Sequence, residues 1–243
     1  MKRFIEGFAD SAFWKFIQKN KFIYEAYQKT FGGILHRYLL KDRIQEVQNG
    51  GMQIIDLIQK SLESSEIKFF VDNGTLLGFV RDGRLIKWDY DVDFGVLVNS
   101  TFNWSMLEKL LTENGFYLHH QFKKDNIITE QTYGYGTIMI DFFGHFENGD
   151  STSFYTYYRE PDKAYDSENK MSVNEIRTRK ISDTKILLLQ DAKVYILENS
   201  EGYLEDLYGK SWRVPNPNWV NGSGPCCHKL NDIYGYYEKC IEK

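Results

Sequence analysis

At 243 residues and 28.7 kDa the chain can bury one substantial core, so one catalytic unit with elaborations is expected rather than two small domains. With 30 basic residues against 34 acidic ones and a net charge of -4, it lacks the broad basic face of a protein that grips nucleic acid. Cys226, Cys227 and Cys240 form neither a disulfide framework nor a paired zinc motif, which favours unmetallated thiols in a reducing, cytoplasmic setting.

After Lys2 and Arg3 no apolar run develops, because Glu6, Asp10, Lys15, Lys19 and Lys21 interrupt it; neither a signal peptide nor a membrane span is expected. Phe13, Ile17, Tyr24 and Tyr27 recur at helical spacing, so residues 1–42 read as a helical extension packed on the core, with 43–243 the catalytic domain. The lysines and aromatics of the extension also suit peripheral contact with the inner face of a membrane that carries a lipid-linked acceptor.

Arg43 to Ser65 carries Ile44, Val47, Ile54, Ile55, Ile58 and Leu62, an amphipathic helix despite Gly50 and Gly51. Ile67 to Val71 reads as a buried strand that ends at Asp72, Asn73 and Gly74. Further strands are expected at Asp93–Val98, Phe116–His120, Thr137–Phe143, Phe154–Tyr158 and Lys193–Leu197, with helices around Trp104–Glu113 and Tyr203–Tyr208. Asn148, Gly149 and Asp150 mark a turn, and Pro161 to Asn174 reads as a surface loop. Because helices and strands alternate only partly, the class is α+β with a mixed sheet.

The chemistry concentrates between residues 73 and 141. In WDYDVDFGVLV the acids Asp89, Asp91 and Asp93 alternate, and in an extended chain they share a face. Three like charges that close repel one another unless a cation neutralises them, and oxygen-only ligands favour Mg2+ or Mn2+. Two aspartates at i and i+2 can hold two such ions once a third carboxylate joins them, and Asp141, a lone acid in the apolar segment TIMIDFFGHF, is the candidate. A solvated turn, or a calcium loop, is the competing reading of DYDVD, but the glycine and distal glutamate of an EF-hand are missing. Ahead of the cluster, Asn73-Gly74-Thr75-Leu76-Leu77-Gly78 offers backbone N–H groups and a hydroxyl to a phosphate. Arg81 and Arg84 follow, Arg81 being either a phosphate fork or the partner of Asp82 or Asp89 in an ion pair.

Taken together, DNGTLLGFVRDGRLIKWDYDVDFGV resembles the signature of the LicD family of phosphocholine transferases and the related fukutin-type ribitol-phosphate transferases. The likeness rests on Gly74 to Gly78, Arg81, Trp88 and Asp89 to Asp93, and a second element, Leu204, Glu205, Tyr208, Gly209, Trp212 and Pro215, extends it over about residues 45 to 215. Two positions depart: Tyr90 stands where many bacterial members have another aspartate, and Lys87 where proline is frequent. Tyr90 is expected to face away from the metals.

The resemblance implies a nucleotidyltransferase-like fold and transfer of a phospho-alcohol from a CDP-linked donor, such as CDP-choline, CDP-ribitol or CDP-glycerol, to a sugar hydroxyl, with CMP leaving. Surface glycans such as capsule, lipopolysaccharide or teichoic-acid-like polymers are the acceptors it suggests. In that frame Asp91, Asp93 and Asp141 hold two metal ions and carry catalysis, while Asn73, Gly74, Thr75, Arg81 and Asp89 bind substrate. Attack at the α-phosphate with release of pyrophosphate, or a non-catalytic nucleotide-binding module, are the alternatives.

Overall fold

The computed structural model describes residues 33–160, 163–189, 192–216, 219 and 222–241, with side chains from residue 40 onward. The expectations for residues 1–32 lie outside these residues. Helix α1, Gly33–Leu62, runs through position 42, so the expected domain boundary falls inside one helix. No described helix is long and apolar enough to cross a membrane.

Among the described residues the fold is α+β: a large mixed sheet of eight strands flanked by four helices. After α1 come β1 (Phe69–Val71), α2 (Asn73–Asp82), β2 (Val92–Val98), α3 (Trp104–Thr112), β3 (Tyr117–Lys124), β4 (Ile127–Tyr135) and β5 (Ile138–Asn148). Then follow β6 (Ser151–Tyr158), β7 (Lys170–Arg179), β8 (Thr184–Leu188), β9 (Lys193–Leu197), α4 (Ser200–Tyr208) and β10 (Cys227–Lys239). The large sheet runs β1-β2-β5-β4-β3-β10-β7-β6, and the last residues of β5 also pair with β6 across the Asn148–Ser151 hairpin. The strands from β5 round to β6 therefore close on themselves, while β2 and β1 extend the sheet from the other edge of β5. Strands β8 and β9 form a separate hairpin.

Side-chain alternation gives the sheet two unlike faces. One carries Val92, Phe94, Ile138, Ile140, Phe142 and Tyr133, with Phe94 stacked on Phe142 at 5.2 Å and Tyr133 edge-on to it at 5.6 Å. Helix α1 covers this face with Val47, Ile54, Ile55, Ile58 and Leu62, all buried, and each such side chain stabilises the fold by roughly 1.5–3 kcal/mol. The opposite face carries the alternate residues, Asp93 and Asp141 among them.

Helix α2 shows why the chain turns where it does. Asp72 accepts from the Asn73 N–H as N-cap, and Gly83 ends the helix with φ 66, a left-handed conformation that glycine adopts without strain. The segment 73–78, expected to be a loop before a helix, is thus the first turns of the helix itself. The expected loop at 161–174 is shorter than supposed, since β7 starts at Lys170. Strands β4, β7, β8 and β10 were not expected.

Candidate active site

Strand β2 begins only at Val92, so of the three alternating acids Asp93 lies in the strand, Asp91 immediately precedes it and Asp89 stands outside it. Parallel pairing of β2 with β5 makes Asp93 and Asp141 register partners. Ligand oxygens of Asp91, Asp93 and Asp141 all lie within 4.8 Å of one another. Asp89 does not join them: its carboxylate packs against Gly74, where a Cβ would lie 2.9 Å from Oδ2.

The surroundings keep this cluster in a costly state. Burial, then repulsion from Asp141 and Asp89, pushes Asp91 up to about 8 despite the opposing charge of Arg43 on α1. Asp93 rises well above the usual carboxylate range through burial and repulsion from Asp91, Asp141, Asp89 and Asp72. Asp141 is raised by burial, although Thr132 donates to its Oδ1 at 2.6 Å and Arg43 also opposes the shift. Burial lifts Asp89 to about 6, and its Oδ2 is sealed from solvent with no partner. Oxygen-only donors, converging and mutually repelling, fit a hard divalent cation such as Mg2+ or Mn2+.

The glycine segment is used differently from the expectation. Expected to face a phosphate, the Gly74 N–H donates to Asp93 Oδ2 at 3.1 Å, and the fully buried Thr75 hydroxyl accepts from the Asp93 N–H at 2.9 Å. Both residues therefore fix Asp93. Asn73, held at φ 41, leaves its side-chain amide without a bond to any described group. Arg81 makes a bidentate pair with Asp82, at 3.0 and 2.8 Å, with its side chain only 6% exposed, and it opposes the upward shift of Asp89. Tyr90 does not sit electrostatically apart from the acids: burial and all four carboxylates push its phenol up to about 12.

Behind the turn lies a buried group that the sequence did not signal. Asp72, with no exposure, contacts His145 Nε2 through Oδ2 at 2.7 Å and accepts from the Tyr203 hydroxyl through Oδ1 at 2.7 Å. Helix α4, which carries Leu204, Glu205 and Tyr208 of the second sequence element, thereby locks the N-cap of α2. Its last residue, Tyr208, is pushed well up by burial and by Asp93, Asp72 and Asp89. A cleft of about 610 Å3 opens elsewhere, among Arg177, Arg179, Asp206, Lys210 and His228. None of the three clustered acids lines it, and its Arg179 is already bound to Asp206 at 2.8 and 2.7 Å.

Residues 66–183 match the family described as LicD/FKTN/FKRP, nucleotidyltransferase domain. Ribitol-5-phosphate transferase FKTN of Mus musculus is 25% identical over 187 residues, covering 75% of this chain and 37% of the relative. Its Homo sapiens counterpart is 23% identical over 210 residues, 84% of this chain and 42% of the relative. Ribitol 5-phosphate transferase FKRP of Mus musculus is 35% identical over 60 residues, 23% of this chain and 12% of the relative. The chain spans about two fifths of the length of the FKTN relatives it matches.

Proposed function

We propose that this chain, whose residues 66–183 match the LicD family, transfers a phospho-alcohol from a CDP-activated donor to a sugar hydroxyl of a surface glycan, releasing CMP. Phosphocholine, ribitol phosphate and glycerol phosphate are the groups considered. The observation that carries the reading is the convergence of Asp91, Asp93 and Asp141 within 4.8 Å on a buried face, where three negative charges are stable only beside a cation.

Asp91, Asp93 and Asp141 would hold the metal, Mg2+ or Mn2+ and in all two ions, whose charge neutralises the donor diphosphate and the leaving CMP. Asp93 is aimed by Gly74 and Thr75, so the glycine segment acts on the donor through the carboxylate it orients. Asn73 offers its amide to the donor from the start of α2, and the burial of Asp89 against Gly74 keeps that approach narrow. Asp141, with one oxygen engaged by Thr132, keeps the other for a metal or for the proton of the attacking hydroxyl. Arg81 shapes the site through Asp82 and Asp89.

The test is to incubate the full chain with CDP-choline, CDP-ribitol or CDP-glycerol and Mg2+, and to analyse the products by chromatography. CMP is expected from one donor, with calorimetric binding of the same compound. Pyrophosphate from a nucleoside triphosphate, or binding of no CDP compound at all, would overturn the assignment.

A further inference from the structure

The acids begin a row that continues across the sheet. Asp93 pairs with Asp141, Asp141 with Thr132, and Thr132 with His120. Directly paired residues share a face, so two positions along each strand the same face presents Phe143, Glu130, Phe122 and Tyr237, themselves consecutive register partners. This second row sets one carboxyl group among rings, beside the candidate metal site.

Glu130 is only 7% exposed, yet no described group donates a hydrogen bond to its carboxyl. It is absent from the partnerless polar atoms that are sealed off, which are Asp89 Oδ2 and His145 Nδ1, so its carboxyl is not fully closed in. A buried carboxyl left without a protein partner is costly and points to a ligand donor. Around it, Phe122 stacks on Tyr157 with centroids 4.7 Å apart and planes within 4°, Tyr237 meets Phe122 at 5.6 Å, and His120 meets Tyr237 at 5.0 Å. The Tyr157 hydroxyl is tied to that of Thr129, the extra residue of a bulge between the β3–β4 pairs Phe122–Glu130 and Lys123–Ile128. All four rings are half-buried, so each keeps some open surface.

We propose that this second row is the acceptor subsite: a pyranose ring lies with its C–H face on the Phe122 and Tyr237 surface and donates a hydroxyl hydrogen bond to Glu130. The inference rests on the transfer reading above, and it supplies the sugar that reading requires. Half-open aromatic surface next to a convergent acceptor is what a ring with one apolar face and a rim of O–H donors recognises. A quaternary ammonium instead needs ring faces turned toward a common centre, and the parallel packing of Phe122 on Tyr157 fills the space such a cage would use.

Saturation-transfer NMR on the full chain, with methyl glucoside, methyl galactoside and methyl N-acetylgalactosaminide as probes and choline as competitor, tests this directly. Ring-proton saturation is expected for at least one glycoside. It should fall about tenfold in Tyr237→Ala and in Glu130→Gln, the loss of one stacking or hydrogen-bond contact, and survive in Tyr237→Phe and Asp91→Asn. No glycoside signal, a signal that persists in both loss variants, or one displaced by choline overturns the proposal. Circular dichroism on each variant shows that it is folded. Calorimetry of the same proteins with CDP-alcohols and Mg2+ separates the two readings: loss of donor binding sinks the transfer chemistry and leaves sugar binding standing.

Discussion

Gly74 leaves no room for a side chain because the carboxylate of Asp89 occupies it, with Oδ2 2.9 Å from where a Cβ would stand. Backing away is hard for Asp89, which is buried and raised to about 6 by that burial. Gly74→Ala should therefore destabilise the protein by about 1–3 kcal/mol and lower activity, and Asp89→Ala in the same chain should return most of the stability. Urea melts of the two single variants and the double variant measure this; additive losses would exclude the contact.

The clustered acids cost the metal-free fold stability. Asp91→Asn and Asp93→Asn remove repulsion within a set that burial already penalises. In EDTA each variant should melt higher than the parent, by an amount on the order of 1 kcal/mol, while CMP release falls by about a thousandfold or more. Variants that melt lower in EDTA would show that the carboxylates stabilise the metal-free fold.

A pH series follows from the same charges. Asp91 and Asp89 bind protons more tightly folded than unfolded, at about 8 and about 6, so their contribution is fully present below the ordinary carboxylate pKa. It is lost as pH rises through those folded values. Metal-free protein should lose melting temperature from about pH 4 up to about pH 8, and millimolar Mg2+ should reverse the trend because the cation replaces the protons. Scanning calorimetry with EDTA or Mg2+ reads it, and a melting temperature that climbs with pH in EDTA is the contrary result.

Thr75 gives the sharpest separation of positioning from direct binding. Its hydroxyl is fully buried and accepts from the Asp93 N–H, so Thr75→Val, equal in shape, leaves that donor without a partner. A cost of about 1–3 kcal/mol and a drop in kcat are expected, with Thr75→Ser restoring both. If Thr75→Val raised only the KM for the donor, the hydroxyl would be a substrate contact instead.

The candidate site was legible where chemistry is local. Acids at 91 and 93 and a lone acid in the apolar strand at 141 announce themselves by being out of place, and parallel pairing brings them together. Strand β4 escaped because neither of its faces is apolar there: Glu130 and Thr132 face the acids, while Gln131 on the other side is bonded to Gln121 and Tyr133. Strand β10 escaped because His228, Lys229, Asn231 and Asp232 lie on an exposed stretch, although it bridges β3 and β7. Asp72, His145 and Tyr203 are 73 and 131 residues apart in sequence, and no local pattern connects them. The glycine segment misled in a physical way: small residues and a hydroxyl at a helix start suit a phosphate, and suit equally well a carboxylate from the neighbouring strand.

The parallel pairing of Asp93 with Asp141 works as a ruler. Neighbouring strands stand about 4.8 Å apart, so the gap between these two carboxylates is set by the backbone ladder and not by a loop that could drift. One residue inserted or deleted within β2 or β5 would turn an acid to the helix-covered side and abolish the gap altogether. Length changes should therefore gather in connections such as 99–103 and 180–183, while these two strands keep their length in any functioning descendant of this chain.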